Sequence, residues 1–127
     1  MKSSAEIINK IKNAINEDVD LSKDGEAVRA FEKTTLPVPL KKTYFSLSCE
    51  DNTLTKGNPA VNKISIRMTC FTPLTKPAYT ANETAENILH YMEEIFSDDL
   101  VGYSIGETDY DDDVRAYKVI CRLHFQY

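Results

Sequence analysis

Hydrophobic and polar residues follow two different periods along this chain, and the change of period separates the predicted helices from the predicted strands. Near the start, Ile7, Ile11 and Ile15 recur every four residues. This spacing places side chains on one face of an α-helix. The pattern therefore predicts an opening amphipathic helix, with Ser4 as its N-cap because serine accepts a hydrogen bond from the first free N–H groups.

The segment after this helix is rich in turn-forming residues. The stretch "DVDLSKDGEA" contains Gly25 and predicts a turn region, and "AVRAF" and "TLPVPL" follow it. Pro37 and Pro39 exclude a helix interior and are tolerated at strand ends or edges. We therefore expect extended structure here, and the partners of the segment 26–40 stay open.

From Lys42 onward the period is two, as in a strand with one face buried. Two such runs, "KTYFSLSCE" and "VNKISIRMTCF", flank the turn-rich connection "DNTLTKGNPA" and predict a hairpin with a long loop. Tyr44, Ser46 and Ser48 fall on the polar side of the first run. The positions predicted to face inward are Phe45, Leu47, Cys49, Ile64, Ile66, Met68 and Cys70.

A second helix and a final strand pair complete the pattern. Thr80 and Glu83 have the spacing of a capping box, and His90 lies on the polar side of the helix they predict. The runs "LVGYSIGET" and "VRAYKVICRLHFQY" read as strands joined across an acidic stretch. The inward stripe of the helix is Ala81, Ala85, Ile88, Leu89, Met92, Ile95 and Phe96, and that of the last strand is Tyr117, Val119, Cys121, Leu123 and Phe125.

These elements predict an α+β fold with an antiparallel sheet of about four to five strands and two helices packed on one face. With 127 residues, 42% of them hydrophobic, the sequence is long enough for one core, and we expect residues 1–127 to form a single domain.

Charge narrows the function classes. The formal net charge of −5 disfavours a surface that binds nucleic acid by neutralising phosphates, because such surfaces need clustered Lys and Arg. The first twenty residues contain no apolar run long enough for a signal peptide or a membrane span. The sequence therefore predicts a cytoplasmic chain that does not enter a membrane.

Catalytic or cofactor chemistry finds little support. Cys49, Cys70 and Cys121 form no C-x-x-C pair and lie in phase with the apolar side of their strands, so we expect them in the core. The two histidines, His90 and His124, fall on polar sides. The four glycines are scattered and make no phosphate-binding loop. We predict no enzyme activity and no cofactor.

An acidic stretch before the last strand is the main candidate site. It places five acidic residues in a span of seven, and Asp109, Asp111 and Asp113 have the spacing that opens an EF-hand loop, without its Gly and final Glu. A metal or catalytic site, a solvated turn, the wall of a channel, and a subunit contact with Arg67 or Arg122 of a neighbour all remain open. The acidic residues are Glu107, Asp109, Asp111, Asp112 and Asp113.

The order of these elements, with "VNKISIRMTCFTP" ending at a proline and "VGYSIGETDYDDDVRAYKVICRLHFQY" as a strand pair, resembles the tail terminator proteins of tailed bacteriophages and prophages. The resemblance covers Ile7 to Phe125 and rests on element order and length. It implies a non-enzymatic α+β protein that forms a homo-oligomeric ring, usually a hexamer, on the tail tube. It also implies that "EDNTLTKGNPA" projects from the sheet toward a neighbouring ring or the tube.

The partners implied by the resemblance are the tail tube protein and the head connector protein, with DNA only as passing cargo and the virion tail as location. Related head-completion and tail-tube proteins share parts of this layout. A small cytoplasmic α+β enzyme or ligand-binding domain that uses residues 107–113 is the alternative from a different class.

Overall fold

The computed structural model describes residues 3–23, 25–29, 38–57 and 61–127. Residues 30–37 of the segment predicted to be extended lie outside these ranges. In chain order the elements are α1 (Ser4–Glu17), β1 (Gly25–Arg29), β2 (Thr43–Thr55), β3 (Val61–Pro73), α2 (Tyr79–Ile95), β4 (Leu100–Ile105), β5 (Asp109–Asp111) and β6 (Ala116–Gln126).

The strands form one six-stranded sheet in the order β1-β2-β3-β6-β4, and β5 pairs with β6 beyond the end of β4. The predicted α+β class with two helices on one face is confirmed. The sheet has more strands than expected, and β1 pairs with β2 in parallel whereas every other described pair is antiparallel. β6 occupies the interior of the sheet, with β3 on one side and β4 and β5 on the other.

The main core lies between this sheet and the two helices. The isoleucine stripe of α1 and the apolar stripe of α2 pack on alternate residues of the strands, as the two periods predict. Phe96 and Phe125 meet edge to face with ring centroids 5.1 Å apart. At the edge of this core a Cβ on Gly25 would lie 2.9 Å from the Phe45 ring, so this position requires glycine.

A second, smaller core covers one end of the opposite face of the sheet. It consists of Val28, Leu40, Tyr44, Phe71, Val114 and Ala116. The prediction that Tyr44 and Ser46 lie on an exposed polar side is therefore wrong, since each is only 5% exposed. Leu40 and the turn before β6 fold over this end, and the backbone N–H of Leu40 donates to the carbonyl of Val114 at 3.4 Å.

Both predicted helix starts are displaced. Ser3, rather than Ser4, is the N-cap of α1, and its hydroxyl accepts a hydrogen bond from the N–H of Glu6 at 3.2 Å. The capping box predicted for Thr80 is not formed, because α2 begins at Tyr79 and its N-cap, Ala78, makes no side-chain bond.

β2 extends beyond the predicted strand, through Thr55, into the segment expected to be a loop. Its described pairing with β1 covers Thr43 to Leu47, and a β-bulge follows between Cys49 and Asp51. Every residue from 49 to 57 is exposed. The burial predicted for Cys49 is therefore wrong, because the helices do not cover the outer half of β2, although they cover the part of β3 paired with it. Cys70 and Cys121 are buried as expected.

Among the described residues, the helices are too short or too polar to span a membrane.

Candidate functional site

The second face of the sheet is polar where the smaller core ends. We call this region the open face and define it by Ser48, Ser65, Arg67, Thr69, Arg122 and His124. These residues alternate along β2, β3 and β6 with the buried residues of the main core. The open face therefore follows from the strand period, and its composition is hydroxyls, two arginines and one histidine.

Two arginines lie directly opposite each other on the open face. Arg67 of β3 is paired in register with Arg122 of β6 and, on its other side, with Ser48 of β2. Like charges directly opposite on neighbouring strands destabilise a sheet. The Arg122 guanidinium is compensated by Glu50, whose carboxylate oxygens lie 2.9 and 3.2 Å from its Nε. Arg67 has no ionic or hydrogen-bonding partner among the described residues.

Next along the face, Ser65 and His124 form a hydrogen-bonded pair. The Ser65 hydroxyl lies 2.9 Å from Nδ1 of His124, and the two residues are paired in register across β3 and β6. A serine beside a histidine is the first requirement of a nucleophile and base pair, which also needs an orienting group and donors for a developing oxyanion. No described carboxylate bonds this imidazole, so the pair provides only part of that arrangement.

A small pocket of about 160 Å³ opens on this face next to the smaller core. Arg67 and Lys118 bring positive charge to its wall, and Asp111 brings one carboxylate. Its remaining lining residues are Ser46, Ser48, Thr69 and Phe71. Binding sites for cofactors or drug-sized molecules usually exceed about 300 Å³. The pocket is therefore of a size for a small polar group.

The acidic stretch contributes Asp111 to the wall of this pocket. Part of it is strand, because Asp109–Asp111 form β5 and pair with β6. The Asp111 carboxylate organises the following turn: its Oδ1 accepts the N–H groups of Asp113 at 2.9 Å and Val114 at 3.2 Å. Its Oδ2 lies 3.3 Å from the Lys118 ammonium. This turn also contains Arg115, with a positive φ of 50°.

Asp111 is thus a structural carboxylate. Burial by itself would raise its pKa, but the hydrogen bonds from Val114 and Lys118 and the charge of Lys118 outweigh burial, and the pKa is lowered. Its partner is a lysine of its own chain, so Arg67 and Arg122 of the same subunit do not pair with it.

The other four acidic candidates, Glu107, Asp109, Asp112 and Asp113, are exposed. The Asp109 carboxylate accepts only the neighbouring N–H of Tyr110, at 2.8 Å. Over the described ranges, no three His, Cys, Asp or Glu side chains gather closely enough to hold a metal ion. The aspartate spacing that opens an EF-hand is used here for a strand and a turn.

The sequence identifies Arg67 and Arg122 as candidates but indicates neither their juxtaposition nor the Ser65–His124 pair. Alternation places each residue on a face, whereas only the register between β3 and β6 determines which residues become neighbours. These strands are separated by α2, β4 and β5, so no local motif carries that information.

No protein-family model matches this chain, and comparison with the curated proteins finds no similar sequence.

Proposed function

We propose that this chain is a structural assembly protein of a phage, prophage or phage-tail-like particle, which forms a ring that ends the tail tube and joins it to the head connector. The proposal rests on the resemblance to tail terminator proteins and on the surface of the fold. Its carrying observation is that two edges of the sheet that carry exposed apolar residues, the outer half of β2 and β4, have no described neighbour.

The first edge is the outer half of β2. The described part of β1 pairs with residues 43–47, and from Ser48 to Thr55 no described strand lies on the side of β2 away from β3. The second edge is β4, the last strand of the sheet order. Unpaired strand edges present backbone N–H and C=O groups that can bind another chain.

The directions of these edge strands suit a head-to-tail contact. β2, β3, β6 and β4 alternate in direction, so β4 runs antiparallel to β2. If the sheet continues into a second copy, the neighbour's β4 meets the outer half of β2 in an antiparallel arrangement. A contact between two different surfaces of the same protein closes into a ring when the rotation per subunit permits.

Exposed apolar residues mark both edges. Leu54 on β2 is 44% exposed and Val101 on β4 is 62% exposed. Burying these side chains in an interface would stabilise the oligomer by about 25 cal/mol per Å² of apolar area removed from water. The exposed residues of the acidic stretch follow β4 and would lie near the same contact.

Native mass spectrometry and sedimentation velocity over a range of protein concentrations test the proposal. We expect a closed oligomer whose formation is lost in Leu54→Glu and in Val101→Lys. Val19→Lys is the matched control, because Val19 is 84% exposed in the turn after α1, away from both edges. The proposal is contradicted if the chain stays monomeric at all concentrations, both alone and after addition of a tail tube protein encoded next to it.

A further inference from the structure

We propose that the pocket centred on Arg67 is a binding site for a single oxyanion group, either a phosphate or a carboxylate. This inference does not depend on the proposed ring. It rests on the charges, the donors and the size of the pocket on the open face.

The charge of the pocket is positive although the chain is acidic. Its charged lining residues are two cations, Arg67 and Lys118, and one carboxylate, Asp111, which gives a local charge of +1 in a protein of net charge −5. Lys118 and Asp111 form an ion pair at 3.3 Å. Within the described structure, the uncompensated charge of the pocket is therefore that of Arg67.

The position of Arg67 makes an anion favourable there. It lies directly opposite Arg122, and Glu50 compensates only Arg122. An anion bound at Arg67 would relieve the repulsion between the two guanidinium groups. Arg67 is half-buried rather than fully exposed, so its attraction for an anion is screened less than that of a surface arginine.

The donors around Arg67 suit oxygen ligands. A guanidinium presents parallel N–H groups that match two oxygens of a carboxylate or phosphate. Ser46, Ser48 and Thr69 contribute hydroxyls to the same pocket, on the two strands that meet there. A volume of about 160 Å³ is sufficient for one such group.

Two sources could provide this group: a free inorganic anion, or a carboxylate of a second copy of the chain, whose exposed acidic stretch offers several. The test uses inorganic phosphate at constant ionic strength, with chloride as the balancing anion. We expect saturable binding by calorimetry, a rise in melting temperature, and amide shifts in two-dimensional NMR confined to β2, β3 and β6 around Ser48 and Thr69.

Arg67→Gln should weaken phosphate binding by at least about tenfold, since a hydrogen-bonded charged partner contributes more than 1.4 kcal/mol. Lys63→Gln is the matched control, because Lys63 is an exposed cation on the same strand and face, four residues away. Equal binding by the two variants, or shifts outside the pocket in the wild type, would overturn the inference. The wild-type shifts decide the matter even if Arg67→Gln does not fold.

The oligomeric state distinguishes the two sources. If the chain self-associates, and if phosphate reverses and Arg67→Gln abolishes this self-association, then a carboxylate of a second copy is the group that occupies the pocket. Saturable phosphate binding by a monomer would identify a free anion and support the site while contradicting the ring. A ring that assembles normally in Arg67→Gln, together with unchanged phosphate binding, would overturn the site and leave the ring intact.

Discussion

The two faces of the sheet differ in how they are covered, although the same strands build both. One face is buried under α1 and α2 except along the outer half of β2, and the residues that the helices cover are almost all fully buried. The other is buried only at the end where Leu40 and Val114 fold over it, and is polar beyond that point. The helix-covered face therefore holds most of the buried residues, and the other face holds a small core and a polar surface.

The largest expected effect comes from placing a charge under the helices. Met92→Asp or Leu89→Asp should unfold the protein, because an unpaired carboxylate would enter a core where both residues are at most 1% exposed. Chemical denaturation followed by circular dichroism measures this. His90→Asp is the control and should cost less than about 1 kcal/mol, since the His90 side chain is 70% exposed. Similar losses at Leu89 and His90 would show that the helix does not present the proposed face.

The smaller core provides the next test of the comparison. Phe71→Ala should destabilise the protein by about 3 kcal/mol, near the lower end of the range for buried phenylalanine, because few residues surround it. Phe45→Ala on the helix-covered face should cost more. Denaturant midpoints of the two variants provide the measurement, and the reverse order would mean that the second face is the better packed one.

These outcomes bear on what the sequence could predict. The period of two identified nearly every strand residue of the main core, because a strand packed against helices buries alternate side chains. It failed for Ser46, which is buried, and for Tyr44, which packs with Leu40 just before its own strand and with Val114 far along the chain. It failed for Cys49 because alternation does not report where the helix layer ends.

The candidate site was also only partly predictable from the sequence. Local composition drew attention to the acidic stretch, yet among its carboxylates the only one with a side-chain partner in the described structure is Asp111, which pairs with Lys118. Arg67 became informative only through its cross-strand neighbours. Strand register is set by long-range pairing, which a single sequence does not display.

The Asp111 turn gives a smaller, pH-dependent effect. The folded pKa of Asp111 is lowered from its ordinary value of 3.8. Its ionised form therefore stabilises the fold above that value, and the stabilisation is lost as the pH falls through the lowered pKa. Asp111→Asn should cost roughly 1 kcal/mol at neutral pH, and the difference from wild type should vanish in strong acid. Asp112→Asn, at an exposed position, should change neither the stability at neutral pH nor its dependence on pH. An equal loss of stability in this variant would contradict the special role of Asp111.

The cysteines provide the test with the smallest perturbation, because it requires no substitution. Cys49 should react readily with a thiol reagent in the native protein, because it is exposed on the outer half of β2. Cys70 and Cys121 should react only after denaturation: both are buried, and burial raises the pKa of Cys121 to about 11 and raises that of Cys70 as well. Mass spectrometry of the labelled peptides assigns the sites. Native labelling of Cys121 would contradict the closed helix-covered face.

The position of β6 has a consequence for synthesis. It is the last strand along the described chain, yet it lies inside the sheet and pairs with β3, β4 and β5. Until residues 116–126 leave the ribosome, β3 has a partner on one side only, and β4 and β5 have none of their described strand partners. Closing the sheet joins segments far apart in sequence, which is slow and leaves apolar strands uncovered meanwhile. The nascent chain is therefore expected to depend on a holding chaperone during this interval.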